Sequence, residues 1–277
     1  MIGHMQDSLL TEMLNVSKRL VVEAAAIGSA RSGLVVSERK ADGSVVTESD
    51  HAIQAHVLRA VSHAYPDHAV LAEETLLAPS THGEPTSARY CWVLDPIDGT
   101  RNYVSGFPCY ATSIAVLDQG RPVVAVVFEH NTQRLYTAVA GGGGTLNDRP
   151  IRVPAPSSHA DLLIGVPSSK DSLTVNVLRR WAGTKGLILR NLGAATVHLA
   201  LVASGGLDAA FGKQSKIWDV AAGALLVTEA GGTITDPYGT SLLPFDLSAH
   251  PERDIPFLAG APDAHAQLAR SISGMST

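Results

Sequence analysis

The sequence predicts a chain of mixed α and β structure in two lobes, an α+β lobe over residues 1–153 followed by an α/β lobe over residues 154–277. Three observations carry this. Apolar residues recur at helical spacing near the N-terminus and again after Thr47. Short apolar or alternating runs bounded by turn residues fill positions 111–140. From Leu162 onward strand-like and helix-like runs take turns, as in sheets with crossover helices. With 277 residues, 45% hydrophobic and 17% charged, the chain can bury a full core and reads as globular.

Taken in order, Leu9, Leu10, Met13, Leu14, Leu20, Val21 and Ala24 mark a helix over residues 7–28, stopped by Gly28. Met1 to Met5 read as partly an expression remnant, with Met5 as the natural start, and carry no weight in the fold. Asp42-Gly43 marks a turn, and Thr47 fits an N-cap three residues before Asp50. Ile53, Val57 and Val61 then repeat along one helix face. Leu71-Ala72-Glu73-Glu74 closes an apolar segment with paired acids, and Pro79, Gly83 and Pro85 punctuate an exposed loop.

Cys91-Trp92-Val93-Leu94 reads as the end of a buried strand, and Pro96 stops both strand pairing and helix formation, so Asp95 and Asp98 are expected just past the strand. Strands follow over residues 111–117, 123–128 and 135–140, and Gly141 to Gly144 form a hairpin end without the Lys-Ser/Thr of a phosphate loop. Pro154 and Pro156 mark the lobe boundary. The second lobe reads as strands over 162–166, 187–190 and 207–211, with helices over 173–181 and 194–203. Asp219 then N-caps a helix over 220–230 that Gly231-Gly232 closes, and Glu229 near its end reads as structural. Cys91 and Cys109 are expected as reduced thiols.

A formal charge of −5 and a pI near 6.1 give no basic footprint for nucleic acid. No apolar run reaches membrane-span length and the N-terminus lacks a basic-then-apolar leader, so a cytoplasmic protein with no membrane partner is expected.

Chemistry is expected at Leu94-Asp95-Pro96-Ile97-Asp98-Gly99-Thr100-Arg101-Asn102-Tyr103. Gly99 lets backbone approach a ligand, and the residues after it can open a helix whose free N–H groups suit an anion. Two carboxylates beside such a site would repel each other and the anion unless a hard cation lay between them, and oxygen ligands favour Mg²⁺ or Mn²⁺ with phosphate completing the shell. A surface Asp-Pro-x-Asp-Gly turn would use the same residue types.

A second stretch, Trp218-Asp219-Val220-Ala221-Ala222-Gly223 through Glu229-Ala230-Gly231-Gly232, narrows the choice. Together the two resemble the D-P-x-D-G-T-x-N-[FY] and W-D-x-A-A-G-x-x-[LIV]-x-E-A-G-G motifs of the inositol monophosphatase family of Mg²⁺-dependent, lithium-sensitive phosphatases. The resemblance implies the layered αβαβα sandwich shared with fructose-1,6-bisphosphatase, a homodimer, and two to three Mg²⁺ ions for which Mn²⁺ can substitute. It places Glu73, Asp95 and the Ile97 carbonyl on one ion, Asp95, Asp98 and Asp219 on a second, and Glu73 on a weaker third. Asp50 and Thr100 would share the attacking water with Glu73 in the catalytic set, and Lys40 would line the entrance. Gly99 and Thr100 amides would hold phosphate, and Gly193-Ala194-Ala195-Thr196 resembles a G-[ST]-A-A stretch whose backbone meets substrate hydroxyls, with Gly193, Ala194 and Ala195 as the contacts.

The implied substrate is a small polyol or sugar phosphate, inositol 1-phosphate first. Gly212 stands where inositol-preferring relatives carry a glutamate, and Lys213 and Lys216 bring cations instead. Lys216-Ile217-Trp218-Asp219 resembles the K-I-W-D of nucleotide bisphosphate phosphatases. Histidinol phosphate, 3′-phosphoadenosine 5′-phosphate and fructose 1,6-bisphosphate therefore stay open, as does a regulatory binding protein without turnover.

Overall fold

The computed structural model describes residues 2–29, 37–40, 43–75, 85–154 and 161–273. Asp42 of the expected turn, Pro79 and Gly83 of the loop, and Pro156 of the expected boundary lie outside them.

The first layer is helical. Helix α1 (Ile2–Ser29) buries Leu10, Met13, Leu20, Val21 and Ala24, the stripe its periodicity marks. A short hairpin of β1 (Ser37–Arg39) and β2 (Val45–Thr47) leads into α2 (Glu48–Ala64). Thr47 caps α2, and Asp50 at the third helical position accepts back from the Thr47 amide, a reciprocal capping box.

The second layer is a seven-stranded sheet in sequence order: β3 (Ala69–Ala72), β4 (Tyr90–Asp98), β5 (Ala111–Asp118), β6 (Arg121–Glu129), β7 (Arg134–Val139), β8 (Gly143–Leu146) and β9 (Arg149–Ile151). Only the β3–β4 pair is parallel; the rest run antiparallel as hairpins. A 3₁₀ turn (Glu73–Thr75) follows β3, and the short α3 (Thr100–Ser105) follows β4.

The remaining strands, β10 (Leu162–Gly165), β11 (Leu187–Arg190), β12 (Ala209–Gly212), β13 (Thr233–Thr235) and β14 (Phe257–Gly260), form a second sheet in the order β11-β10-β12-β14-β13. Its helices are α4 (Ser172–Ala182), α5 (Ala195–Ser204), α6 (Ile217–Glu229) and α7 (Pro262–Ser273).

Three cores join these elements into five layers. Trp92, Leu94, Val116 and Val126 pack from one face of the large sheet against α1 and α2. Its other face, with Cys91, Val93, Ala115 and Val127, meets α5 and α6, which also cover Ala210, Phe257 and Ala259 of the small sheet. The small sheet's outer face carries Ile164, Phe211 and Leu258 under Val177 and Trp181 of α4 and Leu268 of α7. This is an αβαβα sandwich. Helix α6 is buried all round, as a central-layer helix must be, and Gly223 lets it close on α5: a Cβ there would lie 2.4 Å from the Leu199 side chain.

Two local expectations need correction. Strand β4 does not stop before Pro96 but runs on to Asp98, because a register shift between Asp95 and Asp98 opens the ladder where proline has no N–H to give. Asp219 is not the N-cap of α6; the helix starts two residues earlier with Lys216 as cap, and Asp219 lies in its first turn, accepting from the Lys216 amide.

Candidate active site

The bulge in β4 makes the site. In a regular strand, residues three apart face opposite sides, so Asp95 and Asp98 would diverge. Here Asp95 pairs with Ser113 and Asp98 with Ala111, leaving Pro96 and Ile97 opposite the single residue Thr112. That extra residue flips the phase: Ile97 joins Trp92 and Leu94 in the outer core, although its odd number matches Cys91 and Val93 on the inner face. Asp95 and Asp98 are thereby brought to one side, and with Asp219 they offer ligand oxygens all within 4.8 Å of one another.

Each carboxylate has its own mounting. Asp98 Oδ2 accepts from the Thr196 amide and hydroxyl, both at 2.6 Å, tying the large sheet to the first turn of α5. Asp219 Oδ2 accepts from the Lys216 amide at 2.7 Å at the start of α6. Both helix N-termini therefore turn their positive ends towards the cluster. Asp50 Oδ2 is held by the Thr47 amide and hydroxyl at 2.8 and 2.5 Å. Asp50 Oδ1 and Asp95 Oδ1 are buried and meet no hydrogen-bond donor.

Glu73 opens the 3₁₀ turn after β3, next to β4, and its Oε1 accepts from Lys40 Nζ at 2.9 Å; the same ammonium reaches Glu74 at 2.7 Å. Thr100, the first residue of α3, donates its hydroxyl to the Ile97 carbonyl at 2.9 Å. Gly99 before it sits at φ 85°, and a Cβ there would lie 3.0 Å from the Cys109 carbonyl and 3.2 Å from Ala194.

These acids are out of balance with each other. Burial pushes Asp95 far above the usual carboxylate range, and the charges of Glu73, Asp98, Asp219 and Asp50 push it further. Burial and the charges of Asp98 and Glu73 do the same to Asp219. Asp98 also rises by burial, with Thr196 opposing. Asp50 is lifted to about 6 by burial against the pull of Thr47, with the Glu73 charge adding to the lift. Glu73 is lifted to about 7 by burial, against Lys40 and reinforced by Glu74 and Asp98. Burial opposes the Lys40 ammonium, yet Glu73 and Glu74 raise its pKa above the ordinary value.

Five acids in mutual contact or electrostatic reach, with bare buried oxygens on Asp50 and Asp95 and Lys40 as a cationic partner of Glu73, fit a hard divalent cation in ligand chemistry and in charge. Among the described residues, Asp95, Asp98 and Asp219 are the one group of metal-ligating type close enough to share an ion.

Other expected residues fall at varied distances from this centre. Gly193, at φ 77°, Ala194 and Ala195 form the entry to α5, beside Gly99 and next to Thr196. Lys216 meets the cluster through its amide; its ammonium is engaged elsewhere, with Asp254 at 2.8 Å and the Glu252 carbonyl at 2.5 Å. Gly212 ends β12, where a Cβ would lie 2.4 Å from the Phe257 ring.

Asn102 is a site residue that sequence reasoning left without a role, and Thr196, read as part of the helix-opening stretch, makes a bond to Asp98 that was not foreseen. Asn102 donates to the Cys109 and Leu192 carbonyls at 2.6 and 2.7 Å, stitching the loop after α3 to the approach of α5. Its place inside the first motif was the available signal.

A layered sandwich with a buried carboxylate cluster where β4 meets the first turns of α5 and α6 is suited to hold a metal ion. The chain belongs to the inositol monophosphatase family, whose model matches residues 9–274. Among its relatives, Nus factor SuhB of Pseudomonas aeruginosa is 37% identical over 239 residues, covering 82% of this chain and 86% of the relative. Inositol monophosphatase 2 of Solanum lycopersicum is 36% identical over 224 residues, covering 76% and 81%. The crystal structure of the extragenic suppressor protein SuhB from Bartonella henselae superposes with a TM-score of 0.84 at 27% identity, covering 96% of this chain and all of that one. The chain is thus a phosphatase of a metal-dependent family, and no described helix is long and apolar enough to cross a membrane.

Proposed function

We propose that the chain is a cytoplasmic, homodimeric, Mg²⁺-dependent phosphomonoesterase acting on a small polyol or sugar phosphate, with inositol 1-phosphate as first candidate. The observation that supports it most is the convergence of Asp95, Asp98 and Asp219 within 4.8 Å, with a bare buried oxygen on Asp95. Glu73, Asp95 and the Ile97 carbonyl would hold one cation, Asp95, Asp98 and Asp219 another, and Glu73 a weaker third, with Mn²⁺ able to replace Mg²⁺. A cation bound there neutralises phosphoryl oxygens and the leaving alkoxide.

The chain's own residues do the rest. Asp50, with Oδ2 fixed by Thr47 and Oδ1 bare, is suited to take a proton from the attacking water, and Thr100 to orient that water. As the water oxygen bonds to phosphorus, the ester P–O bond breaks and the alkoxide leaves, taking a proton from solvent water, while the proton held by Asp50 returns to solvent. The Gly99 and Thr100 amides, at the turn into α3, are suited to the phosphate oxygens, and Gly193 to Ala195 to the alcohol hydroxyls. Residues 1–153 would supply most metal ligands, and residues 154–277 Asp219 and the alcohol pocket.

The deciding experiment is phosphate release from inositol 1-phosphate, histidinol phosphate, 3′-phosphoadenosine 5′-phosphate and fructose 1,6-bisphosphate with Mg²⁺, with and without Li⁺. A preferred inositol 1-phosphate, inhibited by Li⁺, supports the reading; preference for another ester replaces the substrate and keeps the chemistry. A second reading, a regulatory binding protein, is favoured by the relatives called Nus factor SuhB. Mg²⁺ binding without turnover of any of the four esters would put that reading first.

A further inference from the structure

Thr112 and His130 lie behind the site, on the opposite face of the sheet from the carboxylates, and neither belongs to the motifs. Thr112 is the one β5 residue opposite the two bulged residues Pro96 and Ile97. It is fully buried, and its hydroxyl donates to the Pro96 carbonyl at 2.7 Å, an interaction that stands in the gap of the backbone ladder. A hydroxyl has one proton, so the 2.8 Å contact between Thr112 Oγ1 and His130 Nε2 must run the other way, with Nε2–H donating. His130 follows the end of β6, is buried, and is walled by Tyr110 and Phe128 with Gly28 at the end of α1 beside it. Its Nδ1 meets no donor or acceptor. Burial lowers the imidazole to about 4, so the ring is neutral with its proton on Nε2 near pH 7.

We infer that the relay from His130 through Thr112 to the Pro96 carbonyl is a positioning device that pins the β4 bulge and so holds Asp95 and Asp98 on the same side as a cation-binding pair. Pro96 lies between Asp95 and Ile97, and its carbonyl direction fixes the Pro96–Ile97 peptide, in the middle of the step from Asp95 to Asp98. Loss of the Thr112 hydroxyl strands a buried carbonyl and frees the bulge to relax towards a regular ladder, in which Asp98 would turn away from Asp95. The inference rests on the proposed metal role of these carboxylates and adds residues that touch neither metal nor substrate.

The test is calorimetric Mg²⁺ binding, together with the Mg²⁺ half-saturation of phosphate release, in the full chain and in Thr112→Val, Thr112→Ser, His130→Phe and His130→Gln. Partners that orient metal ligands are worth about 10–100-fold in metal affinity or activity. Thr112→Val is expected to weaken Mg²⁺ by about tenfold or more with substrate KM little changed, while Thr112→Ser, which keeps the hydroxyl, stays near the parent. His130→Phe should weaken Mg²⁺ as well, and His130→Gln, whose amide can donate in place of Nε2, should recover it. Thr112→Val with parental Mg²⁺ affinity and only a lower melting temperature would overturn the inference. His130→Phe is judged by the same criterion if Thr112→Val is not recovered folded. A parent that binds no Mg²⁺ would instead overturn the proposed function and this inference with it.

Discussion

Asp95→Asn separates the metal role of the cluster from any structural one, because the two predict opposite changes in stability. Asp95 is 1% exposed, and its ligand oxygen lies within 4.8 Å of those of Asp98 and Asp219. Two unit charges at that distance repel by about 3.5 kcal/mol at an effective dielectric of about 20. Protons taken up by the cluster relieve part of this, as the raised pKa of Asp95 shows, and raising the pH brings the remainder back. The asparagine is isosteric and can keep the hydrogen bond Asp95 shares with Asp219, so it removes the repulsion without leaving a cavity. In EDTA at pH 8 the variant should melt several degrees above the parent, at about 2–4 °C per kcal/mol. The parent should gain stability on adding Mg²⁺, as any ligand selective for the folded state provides, and the variant should gain little. Phosphate release should fall at least about 100-fold, more than the loss of an outer partner alone would cause. Retained turnover at saturating Mg²⁺, or a melting temperature below the parent's in EDTA, would refute the assignment.

Stability of the metal-free protein should fall as pH rises from about 4 to 8. Asp50 and Glu73 keep protons in the folded state up to about 6 and about 7, protons that the unfolded chain gives up near the ordinary carboxylate values; each shift is worth on the order of 3 kcal/mol, and denaturant unfolding in EDTA across that range checks the sign. Gly99→Ala must place a side chain at φ 85°, with its Cβ 3.0 Å from the Cys109 carbonyl, so it should cost about 2 kcal/mol or more and reduce kcat over tenfold, read by thermal melting and phosphate release. Gly212→Glu, which restores the glutamate of inositol-preferring relatives, should destabilise by roughly 1–3 kcal/mol, because its Cβ falls 2.4 Å from Phe257, a ring fully buried in the middle core. A stable Gly212→Glu protein with a lower KM for inositol 1-phosphate would show that the Phe257 ring yields and that the missing carboxylate alone sets substrate preference.

Periodicity carried the outer helices and most strands into view, because residues such as Met13, Ile53, Val116 and Val126 are buried by the same alternation that a sequence displays. Thr47 as the cap of α2 was legible for a local reason, its side chain and amide pairing with Asp50 three residues on. The β4 bulge was not legible. Pro96 suggests a strand end, and only pairing with β5 shows that the strand survives it by skipping one register position. The start of α6 was misplaced for a related reason: Lys216 offers no side-chain cap, and Asp219, which resembles one, works from inside the first turn. Thr112 and His130, and the bond from Thr196 to Asp98, escaped notice because the partners concerned, Pro96, Thr112 and Asp98, are far away in sequence.

The mountings of the acids also say which of them depends on the bulge. Asp50, Asp98 and Asp219 each commit Oδ2 to a backbone amide at a helix start, those of Thr47, Thr196 and Lys216, so their positions follow from the packing of α2 in the outer layer and of α5 and α6 in the central one. Asp95 Oδ1 has no such anchor and meets no donor, although this residue stands on both proposed ions. The Asp95 side chain shares a hydrogen bond with Asp219 but is tied to its own sheet only through its peptide, and the next carbonyl along, that of Pro96, is the one Thr112 grips at 2.7 Å. The acid most in need of positioning is therefore positioned through the backbone. This is why a substitution on the far face of the sheet should register in metal affinity before it registers in substrate binding.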